Sequence, residues 1–148
     1  MIQRIQTVFL LLASAALGVQ AFTPILKASM HDTAGIFQDG TVFMKEYTPS
    51  WALLIIITLL TFGAIFFFKD RKVQKTIVLV SIVLIFADNL LSGLSFLSPT
   101  QTMMNTNHAE ISPGIGAFMP IVSLISLFLA YRGINKDEKI VRSMDRLR

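Results

Sequence analysis

WALLIIITLLTFGAIFFF, residues 51–68, runs for eighteen positions without an ionisable side chain. At 1.5 Å per residue a helix of that length reaches about 27 Å, close to the roughly 30 Å of hydrocarbon in a bilayer. Lipid offers a spanning backbone no hydrogen-bond partner outside itself, so the stretch predicts a transmembrane helix. Working outward, three further stretches approach the same length. Ile5 to Ile25 is interrupted only by Gln6, Thr7, Ser14, Gly18, Gln20, Thr23 and Pro24. Thr76 to Leu97 carries Ser81, Asp88, Asn89, Ser92, Gly93 and Ser95, and Ile115 to Tyr131 carries Gly116, Pro120, Ser123 and Ser126.

The composition agrees. Of 148 residues, 53% are hydrophobic and 15% charged, with a mean hydropathy of +0.65. A soluble domain carries about a quarter of its residues as Asp, Glu, Lys or Arg, so a water-soluble globule is excluded. The absence of cysteine excludes disulfides, zinc–thiolate sites and thiol chemistry. The expected fold is an all-α membrane protein: a four-transmembrane-helix bundle with a short extracytoplasmic β-hairpin and a cytoplasmic amphipathic C-terminal helix. It forms one domain over residues 1–148, with spans at about 5–25, 51–68, 76–97 and 115–131. Outside loops are expected at 26–50 and 98–114, an inside loop at 69–75 and a tail at 132–148.

Charge sets the orientation, because Lys and Arg near span ends stay cytoplasmic. Arg4, the loop residues Lys69, Arg71, Lys72 and Lys75, and six basic residues of the tail place eleven of thirteen on one side. The other side has Lys27 and Lys45 against Asp32, Asp39, Glu46 and Glu110. The net charge of +4 is thus a sum of +7 inside, −1 at Asp88 and −2 outside, mainly a topology signal. Both termini are expected in the cytoplasm and the chain in a bacterial cytoplasmic (inner) membrane. Arg4, an apolar run and Val19-Gln20-Ala21 also fit a cleavable secretory signal. Cleavage after Ala21 would leave three spans, and amino-terminal sequencing distinguishes the two.

Each loop has a structural and a functional reading. Asp39-Gly40, flanked by β-formers from Gly35 to Tyr47, suits a two-residue hairpin turn that acts either as a lid on the helix ends or as a recognition ribbon. The second outside loop, bounded by Pro99 and Pro113, reads as irregular or partly extended. His31, Asp32, His108 and Glu110 are metal-ligand types but lie in separate loops with nothing to fix their spacing, so no metal site is assigned. Asn135 can cap a tail helix whose Asp137 and Glu138 suit its first turn and whose Arg142, Arg146 and Arg148 suit its last. Lys69, Arg71, Lys72, Lys75, Arg142, Arg146 and Arg148 are the candidate contacts for anionic lipid or a cytosolic partner. Nucleic acid is not expected, since the basic segments lack stacking aromatics.

Within the spans Asp88 is the one ionisable side chain. A carboxylate at mid-bilayer costs on the order of 2.5–3.5 kcal/mol, so it is expected to face the bundle. Counting from Thr76 puts it near mid-membrane, level with Gly18, Thr61 and Ser123, and the polar candidates are Asp88, Asn89, Thr61 and Ser123. They act either as interhelical hydrogen-bonding groups or as a route for protons or cations. Ser14 and Gly18 form a small-xxx-small pair for close helix approach, and Pro120 is placed to kink the fourth span. Catalytic motifs are missing: there is no Gly-x-Ser-x-Gly elbow, no phosphate-binding glycine loop and no paired carboxylates within a span. The chain is expected not to be an enzyme and to need no cofactor.

The amino-terminal run Met1-Ile2-Gln3-Arg4-Ile5-Gln6-Thr7-Val8-Phe9-Leu10-Leu11-Leu12-Ala13, the loop from Phe68 to Gln74 and the tail from Lys136 to Arg148 resemble the domain of unknown function 4293 family. Its members are small integral membrane proteins of Bacteroidota. The resemblance spans nearly the whole chain, implies four spans with an uncleaved start, and brings no activity or site residue with it. The functional expectation is an accessory or scaffold subunit of a cell-envelope complex, working with a membrane-protein partner or as a homo-oligomer. The alternatives are a small ion or proton transporter using Asp88 and an anionic-lipid binder.

Overall fold

The computed structural model describes residues 2–29, 39–68, 70–107 and 110–145, with the side chains of 2–4, 98–99, 102–107 and 142–145 outside that description. Four helices form the body: α1 (Ile2–Phe22), α2 (Thr48–Gly63), α3 (Arg71–Asn107) and α4 (Met119–Asp145). Each contains a stretch long and apolar enough to cross a membrane. They run up, down, up, down, with α1 packed on α2 and α4, and α3 packed on the same two.

The reason for a bundle is visible in the buried positions. Gln6, Leu10, Ala13, Leu17 and Gln20 line α1; Ser50, Leu54, Ile57, Thr61 and Ala64 line α2 and its extension. Gln74, Val78, Ser81, Ile85 and Asp88 line α3, and Ser123, Leu127, Ala130, Ile134 and Asp137 line α4. On every helix these positions alternate spacings of three and four, the seam that lets straight helices keep one face on their neighbours at a shallow crossing angle. The remaining apolar side chains, such as Leu59, Val83, Leu90 and Ile125, are exposed in a belt around the bundle, as a lipid-facing surface requires.

At one end the start of α1 and the end of α4 lie together with most of the described basic side chains; at the other lies a three-stranded antiparallel sheet ordered β2-β1-β3. Strand β1 (Pro24–Ala28) is central and pairs with β2 (Thr41–Phe43) through Leu26–Val42 and Lys27–Thr41. Its other edge pairs with β3 (Ile111–Pro113) through Lys27–Ser112 and Ala28–Ile111. The partner of Thr41–Phe43 is therefore the segment just after α1, and the upstream half of the expected hairpin, 35–38, lies outside the described residues. Gly40 sits at φ 65°, a conformation that costs glycine little, and delivers its carbonyl to the Ala28 N–H at 2.8 Å.

Four sequence expectations need correction. The loop expected at 98–114 is helical as far as Asn107: α3 continues through Pro99, and the Ser95 and Thr100 hydroxyls each donate one turn back along it, to the carbonyls of Leu91 and Phe96. The tail is not a separate helix capped by Asn135, because α4 continues unbroken to Asp145 through a run of good helix formers. Pro120 does not kink the fourth span. It is the second residue of α4, where its missing N–H has no helical partner to lose. Gly18 also makes no close approach, since a Cβ there would meet nothing within 4 Å.

Candidate functional site: two polar tiers in the bundle core

The seams carry polar groups at their two ends, fourteen residues apart on each helix: Gln6 and Gln20, Ala64 and Ser50, Gln74 and Asp88, Asp137 and Ser123. Fourteen residues are four turns, about 21 Å of helix. Between them the core is filled mainly by Leu10, Leu17, Leu54, Ile57, Ile85 and Leu127.

The contacts fix which groups share a level. Gln74 Nε2 donates to the Ala64 carbonyl at 3.0 Å, and Asp88 faces the Ser50 side chain. Both pairs have the same register, as an antiparallel α2/α3 contact demands. Gln6 Nε2 donates to Asp137 Oδ2 at 2.8 Å, the Arg71 guanidinium donates to the Asp137 carbonyl at 3.1 Å, and Lys75 pairs with Glu138 at 3.7 Å. Together these tie α1, α3 and α4 at the basic end. Carried along the helices, the same registers bring Gln20, Ser50, Asp88 and Ser123 to one level at the sheet end, within about a turn of one another.

The two tiers differ in how completely the chain satisfies them. At the basic end the Asp137 carboxylate has an amide donor, and Gln74 donates to the Ala64 carbonyl at the end of α2. At the sheet end Gln20 (2% exposed), Ser50 (0%) and Asp88 (1%) are as deeply buried, yet Gln20 Oε1, Ser50 Oγ and Asp88 Oδ1 have no hydrogen-bond partner among the described residues. Ser50 and Asp88 face each other across the α2/α3 contact. Ser123 Oγ is occupied by the Pro120 carbonyl at 2.8 Å.

These positions revise the sequence candidates. Asp88 lies level with the first turn of α2, towards the sheet end, and not beside Thr61, which is eleven residues further along α2 and about 16 Å away along the axis. Thr61 Oγ1 is itself buried without a partner among the described residues. Ser123 shares the Asp88 level, whereas Asn89 is exposed on the outer face and its amide donates to the Ile85 carbonyl at 2.7 Å. Among the basic candidates, Arg71 and Lys75 are engaged with α4, and Lys75 also lies 5.4 Å from the Tyr131 ring centroid. Lys72 is exposed; Lys69, Arg146, Arg148 and the Arg142 side chain fall outside the described residues.

The sheet brings the two loops of that end together. The Ser29 N–H donates to the Glu110 carbonyl and the Glu110 N–H to Ser29 Oγ, both at 3.0 Å, beside an open cleft of about 490 Å³. His31, Asp32 and His108 lie outside the described residues. Glu46, after β2, accepts a hydrogen bond from the Phe43 N–H at 3.2 Å, and partial burial raises its carboxyl above the ordinary value. Sequence reasoning missed Gln6, Gln20, Ser50, Gln74 and Asp137 as site residues, although their fourteen-residue spacing from a second seam position is a signal the sequence contains.

A family model described as Domain of unknown function (DUF4293) matches residues 2–147, nearly the whole chain, and the protein belongs to that family. No curated protein and no solved structure matches it.

Proposed function

We propose that this member of the DUF4293 family is a non-enzymatic accessory or scaffold subunit of a cell-envelope complex. It lies in a bacterial inner membrane with the basic end and both termini in the cytoplasm. The observation that carries the proposal is the contrast between a closed interior and extended ends. The core between the tiers is filled mainly by apolar side chains, with Thr61 and Ser81 buried among them, while α3 and α4, at 37 and 27 residues, are about 55 and 40 Å long. Both exceed the roughly 30 Å hydrocarbon thickness and continue beyond it, α3 on the sheet side and α4 on the basic side. Such ends are handles for a partner.

The basic end supports a second reading, attraction to anionic lipid, because Lys72, Arg132, Lys136 and Lys139 are exposed there. The scaffold proposal is tested by mild detergent extraction from native membranes, crosslinking and mass measurement of the tagged full-length protein. A stoichiometric assembly that is lost when α4 is truncated beyond Asp137 is expected. Recovery of the monomer alone overturns it. Binding that depends on phosphatidylglycerol or cardiolipin in vesicles, and falls when Lys72 and Lys136 are changed to Gln, supports the lipid reading instead.

A further inference from the structure

We infer that the outer face shared by α3 and α4 holds one anionic phospholipid of the phosphatidylglycerol class, with an acyl chain in an apolar groove and the phosphate among side chains of the basic end. The groove, of about 320 Å³, is lined by Ile82 and Phe86 of α3 and by Leu124, Ile125, Phe128 and Leu129 of α4. It opens on the lipid-facing belt, where Phe86, Ile125 and Phe128 are exposed. Followed towards the basic end, both walls keep one face and change character. On α3 the positions Phe86, Ile82, Leu79, Lys75 and Lys72 step by four and three, and on α4 Ile125, Phe128, Arg132, Asn135 and Lys139 step by three and four. That spacing holds a single helix face. The two faces run side by side, because Lys75 reaches Glu138 at 3.7 Å and lies 5.4 Å from the Tyr131 ring centroid, and the Arg71 guanidinium donates to the Asp137 carbonyl. One continuous strip therefore passes from apolar to basic.

Its length and its charge select the occupant. Phe86 lies midway along the apolar stretch from Thr76 to Leu97. Fourteen residues separate it from Lys72, about 21 Å, which is half of a bilayer of roughly 40–45 Å including its headgroups. The strip thus covers one leaflet from midplane to headgroup, the reach of a single lipid, and Tyr131 stands in its polar half as interfacial aromatic rings do. Lys72, Arg132 and Lys139 are exposed there. The nearby acids are engaged within the protein: Asp137 accepts from Gln6, Glu138 pairs with Lys75, and Asp70 accepts from the Val73 N–H. An anionic headgroup meets the exposed cations while its chain fills the groove. A second copy seated symmetrically on the strip would instead bring Arg132 and Lys139 of both copies to one level, where like charges repel. The inference rests on the anionic-lipid reading of the basic end and gives it a defined site.

In the test, dioleoyl phosphatidylglycerol or phosphatidylcholine is titrated into the full-length protein in detergent, and bound lipids are counted by native mass spectrometry. One phosphatidylglycerol per chain is expected at concentrations where phosphatidylcholine is not retained. Arg132→Gln combined with Lys139→Gln should weaken binding about thirtyfold, since each Lys or Arg beside an anionic lipid contributes about fivefold. Ile125→Trp obstructs the groove with every charge in place and should weaken binding about tenfold by overpacking. Val8→Trp, at an exposed position of α1, should leave it unchanged. Should Ile125→Trp fail to fold, Phe128→Ala, which removes a wall of the groove, is expected to weaken binding in its stead. Equal retention of the two lipids overturns both the inference and the anionic-lipid reading. A preference for phosphatidylglycerol that the groove variant does not weaken overturns the inference alone and leaves that reading standing as diffuse attraction. A dimer or a co-purified protein that Ile125→Trp displaces, with lipid binding unchanged, makes the strip a protein interface and likewise overturns it.

Discussion

Replacing Gly114 by alanine should open the junction between the two sheet-end connections. Gly114 follows β3 with φ −81° and ψ 174°, a backbone any residue can adopt, so the requirement for glycine there is one of space. A Cβ built on it falls on the Pro24 carbonyl oxygen and lies 2.8 Å from the Pro24 carbonyl carbon and 3.3 Å from that of Ile25. All three atoms are backbone of β1, so no side chain can swing away. The strands must separate instead, and the 2.7 Å hydrogen bond from the Gly114 N–H to the Ile25 carbonyl breaks first. Breaking a buried backbone hydrogen bond costs about 1–3 kcal/mol, and overpacking adds a similar amount, giving about 2–6 kcal/mol in all. Steric trapping or reversible denaturation in mixed micelles measures this. Gly93→Ala is the control, exposed on α3 with nothing within 4 Å of its Cβ, and should change stability by no more than about 1 kcal/mol. A destabilisation below about 0.5 kcal/mol for Gly114→Ala would refute the close approach of β1 and the start of the fourth span.

Three further substitutions probe the tiers and the sheet. Gln6→Ala removes the donor to Asp137 and should destabilise the folded protein by about 1–3 kcal/mol in the same denaturation assay; an unchanged midpoint would mean that Arg71 and its surroundings carry the acid without it. Thr61→Val replaces a buried hydroxyl that has no partner among the described residues by a methyl, and should be neutral or stabilising by about 1 kcal/mol, whereas a clear destabilisation would reveal an unrecognised bond. Glu46 has its carboxyl raised by burial, so its protonated form is favoured in the folded state. Its contribution is fully present below the ordinary carboxylate value and is lost as pH rises through the raised one. The stability difference between Glu46→Gln and the unaltered protein should therefore change with that sign across the acid range, and a pH-independent difference would contradict the burial argument.

The four spans were legible because length and the absence of charge are sufficient in lipid, and Trp51 to Phe68 needed no tertiary information. Their ends were not. Pro99 and the Thr- and Asn-rich stretch after it look like a break, yet α3 runs on through them to Asn107. Gly133 and Asn135 look like a boundary, but Gly133 is a helix residue lying against the Gln6 side chain, and α4 passes through it. Asp88 was identifiable as a buried acid from its setting in an apolar run. Its depth was not, because that depends on how tightly α3 turns back on α2, and the Gln74 bond to Ala64 places it a full turn or more from where a count from Thr76 would. The pairing of Thr41–Phe43 with Pro24–Ala28 was equally hidden, since a strand this short takes its partner from tertiary geometry and not from its own sequence.

Two polar tiers at a common spacing explain how so few polar contacts specify one bundle. Apolar seams alone tolerate sliding, because a helix shifted by one heptad still presents leucine, isoleucine and alanine to its neighbours. Polar groups at fixed levels remove that freedom. A one-heptad slip of α4 towards the sheet end would carry Asp137 into the tier occupied by Leu10 and Ala13, away from Gln6 and Arg71, at a cost of several kcal/mol for an unpaired buried acid. A slip of α3 would carry Gln74 off the Ala64 carbonyl. The basic-end tier sets register with bonds the chain makes to itself, and it needs nothing further. The sheet-end tier sets the same register by exclusion, since Asp88, Ser50 and Gln20 are together the least unfavourable place for one another, and their unmet oxygens make that end the weaker of the two. Register at the sheet end, and with it the seating of the strands that close it, is thus held less firmly than register at the basic end.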